Sequence, residues 1–165
     1  MTRLVYYGTH GVSVSADVLA LLTAVHTERT SPRIIVGAAI IDGGRVLACA
    51  RATPPEMAGR WEFPGGKVEP GEDEAAALVR ECVEELGARV QVGERVGADV
   101  PMGHGGAVLR VYAARLVDGD RPRLIEHQQL RWLAADELYD VAWLPADEPI
   151  VAALPPLLED RCPAN

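Results

Sequence analysis

The chain has 165 residues, 48% of them apolar and 24% charged, the balance of one soluble globular domain with a real core. Its net charge of −8 argues against wrapping a nucleic-acid polymer, which needs clustered Lys and Arg; it leaves room for a nucleotide whose phosphates are neutralised by metal ions. Three dispersed cysteines (Cys49, Cys82, Cys162), no membrane-length apolar run and no basic leader before an apolar core point to a reduced, cytoplasmic setting without membrane partners.

In chain order, residues 1–32 form an extension of undefined role. Residues 17–28 could make a short helix with Val18, Leu21, Leu22 and Val25 on one face, ended by Ser31-Pro32. Residues 33–165 carry the main domain. Residues 33–41 are apolar and β-branched and predict a buried strand. Asp42-Gly43-Gly44 turns the chain, and residues 45–51 return as a second strand. Residues 52–65 read as a loop. Residues 89–100 read as one or two strands broken near Gly93, and residues 101–106 as a Gly-rich loop. Residues 107–117 read as a strong strand and 130–133 as a short one. Short helices are expected at 134–139 and 147–158, the second interrupted near Pro155-Pro156.

Between them lies the most informative stretch. Pro70-Gly71 turns the chain, acids at Glu72, Asp73 and Glu74 suit a helix N-terminus, and Gly87 suits an αL cap. The expected apolar arc is Ala75, Leu78, Val79, Cys82, Val83 and Leu86, with Glu74, Glu81, Glu84 and Glu85 roughly opposite. Glu81, Glu84 and Glu85 stand at i, i+3 and i+4, so they share a helix face and repel one another. Either that face is simply solvated, or a hard cation such as Mg²⁺ binds there.

The surrounding residues favour the cation. Gly66, Glu72, Arg80, Glu81, Glu84, Glu85 and Gly87 are seven fixed residue types at fixed spacing, and together they resemble the Nudix box. Cys82 and Ala88 stand where larger aliphatics are usual. Trp61 to Lys67, Arg51, and the stretch from Trp143 to Ile150 resemble segments of MutT-like nucleoside triphosphate pyrophosphohydrolases. The likeness covers about residues 33–158. It implies an α/β class Nudix fold, an α/β/α sandwich on a mixed β-sheet, consistent with the order of strands and helices.

By that resemblance the reaction is Mg²⁺-dependent hydrolysis of a nucleoside triphosphate to monophosphate and pyrophosphate, with Mn²⁺ a possible substitute. The resemblance places metal binding on Glu81, Glu84, Glu85 and the carbonyl of Gly65. It adds Glu126, six residues before Trp132, as a metal ligand or general base; a solvated loop acid is the alternative. Glu81 and Glu126 are the leading candidates for taking the water proton. Arg80 is expected to pair with Glu72 and hold the loop against the helix. Lys67 and Arg51 contact phosphate or sugar, or are plain surface cations.

Asp147, with Phe63 nearby, is the candidate reader of the base. An ionised Asp accepts but does not donate, which suits the exocyclic amine of cytosine or the N–H groups of guanine. The alternative is that Asp147 caps the last helix, with Pro149 in its first turn. The implied substrates are CTP, dCTP or 5-methyl-dCTP, or a MutT-like role in nucleotide-pool sanitation; 8-oxo-dGTP as main substrate is the alternative. A non-catalytic nucleotide-sensing module is the reading from another class, and the complete acid set speaks against it. His104 and His127 have no evident partner. The pattern does not choose between monomer and homodimer.

Overall fold

The computed structural model describes residues 32–103 and 105–159, so the expected helix at 17–28, His104 and Cys162 lie outside the described residues. β1 (Arg33–Asp42) and β2 (Arg45–Ala50) form the expected hairpin, turning at Gly43-Gly44, both with positive φ. β3 (Trp61–Glu62) and β4 (Gly65–Lys67) follow. Next come α1 (Glu74–Leu86), β5 (Val90–Met102), β6 (Ala107–Leu116), β7 (Gln129–Leu133), α2 (Glu148–Val151) and α3 (Pro155–Glu159). The sheet runs β3-β2-β1-β6-β5, with β4 added to β1 and β7 to β2. β1 and β6 are parallel and the other pairs antiparallel, giving the expected mixed sheet.

Alternation along the central strands divides the core. Val36, Ala38, Ile40, Leu47 and Cys49 pack with Ala77, Leu78, Cys82 and Leu86 of α1. Ala39, Val46 and Ala48 pack with Ile150, Val151, Leu154 and Leu158 on the other side. The layers are therefore helix, sheet, helix, as expected. Cys49 and Cys82 are free and fully buried. Burial pushes the Cys49 thiol well up and the Cys82 thiol up to about 12.

Several elements differ from the sequence reading. Residues 52–65 are not all loop: they hold a 3-10 turn at Pro55–Met57, all of β3 and the start of β4. These pieces are too short to show a period, and tertiary pairing alone defines them. The break near Gly93 is a register shift inside one long strand, with a second shift between Val96 and Val100. There Gly97 adopts φ 68, and an added Cβ would lie 3.0 Å from Ile150 Cδ1, so α2 packs close. β5 also extends into the expected Gly-rich loop. The helix expected at 134–139 is a 3-10 turn, Ala135–Glu137.

α1 begins and ends as expected. Asp73 caps it by accepting from Ala75 N–H and Ala76 N–H, and Gly87 adopts φ 61 at the other end. Its roll is different. Ala75 is exposed and Val83 is 43% exposed, whereas Ala77 is buried and Glu81 and Glu85 turn partly inward. At ~100° per residue this rotates the packed face by nearly a quarter turn toward the acids. The cause lies on the sheet, where glycines leave space that apolar side chains do not fill.

Candidate active site

The space is made by two adjacent glycines. β4 pairs antiparallel with β1, setting Gly65 opposite Gly37 and Gly66 opposite Val36. A Cβ on Gly65, at φ +150, would lie 2.0 Å from Val36 O, so this strand seats only as glycine. A Cβ on Gly66 would lie 2.4 Å from the Glu81 carboxylate carbon. The first glycine lets β4 close on the sheet; the second lets an acid from α1 close on β4. Glu85 completes the contact, its Oε2 accepting from Gly65 N–H at 2.9 Å.

Arg80 holds the outer side. It donates to both oxygens of Glu72, Nε to Oε1 and Nη2 to Oε2, each at 3.0 Å. Nη1 donates to Glu81 Oε1 at 2.9 Å and Glu84 Oε2 at 3.2 Å, and Nη2 also reaches Lys67 O at 3.0 Å. This fork ties the turn before α1 to the helix. It holds the Arg80 guanidinium charged, and pairing with Arg80 keeps Glu72 below the usual carboxylate range. Glu85 moves the other way. Burial pushes it up to about 7, against the opposing influence of His127 and the Gly65 N–H.

Gly65, Gly66, Glu81 and Glu85 line a cleft of about 850 Å³. Arg51, Glu62 and Lys67 stand beside them. Arg51 is tied to Glu62 and donates through Nε to Thr53 O at 3.0 Å. Asp147 also lines the cleft and is 4% exposed. It stands at the N-cap position of α2 but makes no side-chain cap bond. Instead Oδ1 accepts from Phe63 N–H at 3.3 Å, across 84 residues of chain. Burial pushes Asp147 up to about 7. The Phe63 ring packs tilted on Trp143, centroids 4.9 Å apart, so it supports the floor of the cleft.

Residues 31–154 match the NUDIX domain family. The chain belongs to the Nudix hydrolase family. A Mycobacterium tuberculosis relative named "Putative 8-oxo-dGTP diphosphatase 2" is 50% identical over 125 residues, covering 74% of this chain and 87% of that protein. The Escherichia coli CTP pyrophosphohydrolase is 38% identical over 120 residues, covering 72% and 88%. The solution structure of the E. coli ORF135 protein superposes with a TM-score of 0.65 at 38% identity, covering 81% of this chain and 94% of that one.

Within this Nudix domain the expected site residues separate into two groups. Glu81, Glu85, Gly65, Lys67, Arg51, Phe63 and Asp147 come together on one cleft. Glu84 is 53% exposed and faces Arg80 on the outer side of the helix. Glu126 is exposed and lies outside the residues lining the cleft. Among the described residues no three His, Cys, Asp or Glu side chains close on a single point. The donors in the cleft nevertheless fit a hard divalent cation. Mg²⁺ favours oxygen and is typically held by one or two carboxylates plus substrate phosphate. Glu81 and Glu85 supply such oxygens beside a side-chain-free Gly65-Gly66 floor. Two residues escaped the sequence reading: Glu62, which carries Arg51, and buried His127. Glu62 sits in the Trp61 to Lys67 segment that carries part of the resemblance, so its position was signalled and its role was not.

Proposed function

We propose that this Nudix hydrolase cleaves nucleoside triphosphates to a monophosphate and pyrophosphate, using Mg²⁺ at Glu81 and Glu85. One observation carries the reading: two carboxylates are pressed onto Gly65-Gly66 in the same cleft as a buried acid, Asp147. That combination of groups suits a ligand that carries both phosphates and a hydrogen-bonding ring. The names of the relatives support it.

Held at Glu81, Glu85 and the Gly65 carbonyl, the cation would neutralise phosphate charge and acidify a water. The protein's own groups do the rest. Arg80 fixes Glu81 from behind. Gly65 N–H fixes Glu85. Lys67 and Arg51 add positive charge on the phosphate side, with Arg51 aimed by Glu62. Glu84 and Glu126 stand outside in this conformation; their roles as ligand or base are proposals that require the side chains to swing inward. Glu81 and Glu126 are the proposed acceptors of the water proton.

Phe63 N–H holds one oxygen of Asp147, leaving the other for the ring. The ionised form accepts only, which suits the amine of CTP, dCTP or 5-methyl-dCTP. The second reading, 8-oxo-dGTP, is favoured by the raised Asp147, because the protonated form can also donate to a base carbonyl. The test is incubation with Mg²⁺ and each of CTP, dCTP, 5-methyl-dCTP, dGTP and 8-oxo-dGTP, with products identified by chromatography. Pyrophosphate and the matching monophosphate are expected from at least one. None from any would remove the reading.

A further inference from the structure

Beside Glu62 lies a side chain that the reaction above leaves without a task. The His127 side chain is only 4% exposed. Its Nδ1 is buried and has no hydrogen-bond partner among the described residues. Buried polar atoms are almost always paired, so an orphan of this kind needs an explanation. A ring serving only as packing would be better replaced by an aliphatic side chain, which strands no polar atom.

Its neighbours supply the explanation. Nε2 lies 3.6 Å from Glu62 Oε1, just beyond hydrogen-bond length. The other oxygen of Glu62 is already bonded to Arg51. A charge on the imidazole would also oppose the effect of burial on Glu85. Glu85 in turn has Oε2 held by Gly65 N–H at 2.9 Å. Two enclosed carboxylates thus each have one oxygen held by a neighbour in the cleft, and the same imidazole influences both. The backbone beside the ring is pinned, since Gln128 N–H donates to Ala50 O at 2.8 Å. The ring is therefore anchored to the end of β2 while its chain neighbour Glu126 remains exposed.

We infer that His127 is a positioning residue that braces Glu62 and Glu85 from behind, and through them sets Arg51 and the cation-facing carboxylate in the cleft. The inference rests on this cleft being the reaction site, as proposed above. It assigns the open Nε2 contact to the loaded state, in which a small movement of Glu62 brings its free oxygen within hydrogen-bond length. Partners of this outer kind orient ligands, and their loss typically lowers metal affinity ~10–100-fold.

Two variants test it, His127→Leu and His127→Gln, with circular dichroism to establish folding. The first readout is Mn²⁺ affinity by electron paramagnetic resonance, without nucleotide. His127→Leu is expected to weaken it roughly tenfold. His127→Gln, which keeps a donor and an acceptor, should recover most of the loss. The second readout is kinetic: KM for the triphosphate should rise more than kcat falls, because Arg51 loses its aim. A folded His127→Leu whose Mn²⁺ affinity falls less than about threefold overturns the inference, since even the small end of the outer-partner range exceeds that. If His127→Leu does not fold, the parent decides. Its ¹⁵N imidazole resonances should move on saturation with Mg²⁺, and unmoved resonances overturn the inference. Neither metal readout needs turnover. A protein that binds Mn²⁺ through this brace yet cleaves no triphosphate would fail the proposed function alone.

Discussion

Two parts of the site are built on different principles. The carboxylate part is made from contiguous chain: Gly65, Gly66, Glu72, Arg80, Glu81 and Glu85 all fall within a short stretch, and every contact there is local or one strand away. The other part is a single carboxyl, Asp147, at the N-cap of a four-residue helix and held by a backbone N–H from a distant part of the chain. The first part is over-determined, because removing any one contact leaves Arg80 or a glycine backbone to hold the rest. The second depends on one long-range bond. On the proposed function, chemistry common to many substrates would use the rigid part, and the choice among them would fall to the part that one residue can retune.

The largest effects should come from breaking the rigid part sterically. Gly65→Ala combines a contact with Val36 O and a backbone region unfavourable to L residues. Each of these costs roughly 1–3 kcal/mol, so a large loss of thermal stability by calorimetry is expected. Gly66→Ala should instead leave the fold intact and displace Glu81, with Mn²⁺ affinity falling before stability does. If both variants merely lowered the melting temperature, the division of labour between the two glycines would be wrong.

Removing charge comes next. Glu85→Gln should weaken Mn²⁺ binding by more than the ~10–100-fold lost when an outer partner is removed. In the parent, affinity should decline as pH falls through about 7, because the raised Glu85 then holds a proton that a cation must displace. A flat affinity profile from pH 8 to 6 would contradict this assignment.

In the other part the effect is a change of ranking. Asp147→Asn should alter the dCTP to 8-oxo-dGTP ratio of kcat/KM by about tenfold, equivalent to ~1.4 kcal/mol. In the parent that ratio should rise with pH through about 7, as Asp147 loses the proton that lets it donate. The variant's ratio should be flat. Stability provides an independent sign. The folded pKa of Asp147 lies above its unfolded value, so protonation favours the fold, and stability is lost as pH rises from the ordinary carboxylate range through about 7. The melting temperature of the parent should therefore drop more than that of Asp147→Asn between pH 5 and 8.

The smallest effect is a control on the rigid part. Asp73→Ala removes the exposed cap of α1 and should cost about 1 kcal/mol, read as a few degrees of melting temperature, with unchanged Mn²⁺ affinity. A loss of affinity would mean that the helix N-terminus, as well as Arg80, positions the acids.

The same contrast explains what the sequence disclosed. Both limits of α1 were legible, because Pro70-Gly71, Asp73 and Gly87 are local signals whose mechanism is intrinsic to the backbone. Its roll was not. Apolar periodicity placed Val83 inside and Glu81 and Glu85 outside, but the vacancy left by Gly65 and Gly66 belongs to another strand. β3 and β4 were invisible because two or three residues show no alternation. Asp147 was recognised as two-sided, base reader or cap; only the bond to Phe63 N–H shows that its side chain does not cap α2. His127 stood without a partner in the sequence and becomes informative only through its burial beside Glu62.

The enclosed thiols of Cys49 and Cys82 have a practical consequence. Held protonated in the layer between α1 and the sheet, they offer no thiolate to alkylating reagents while that layer stays shut. Iodoacetamide uptake at these two positions, followed by peptide mass spectrometry, therefore times how often the carboxylate-bearing helix lifts from its bed.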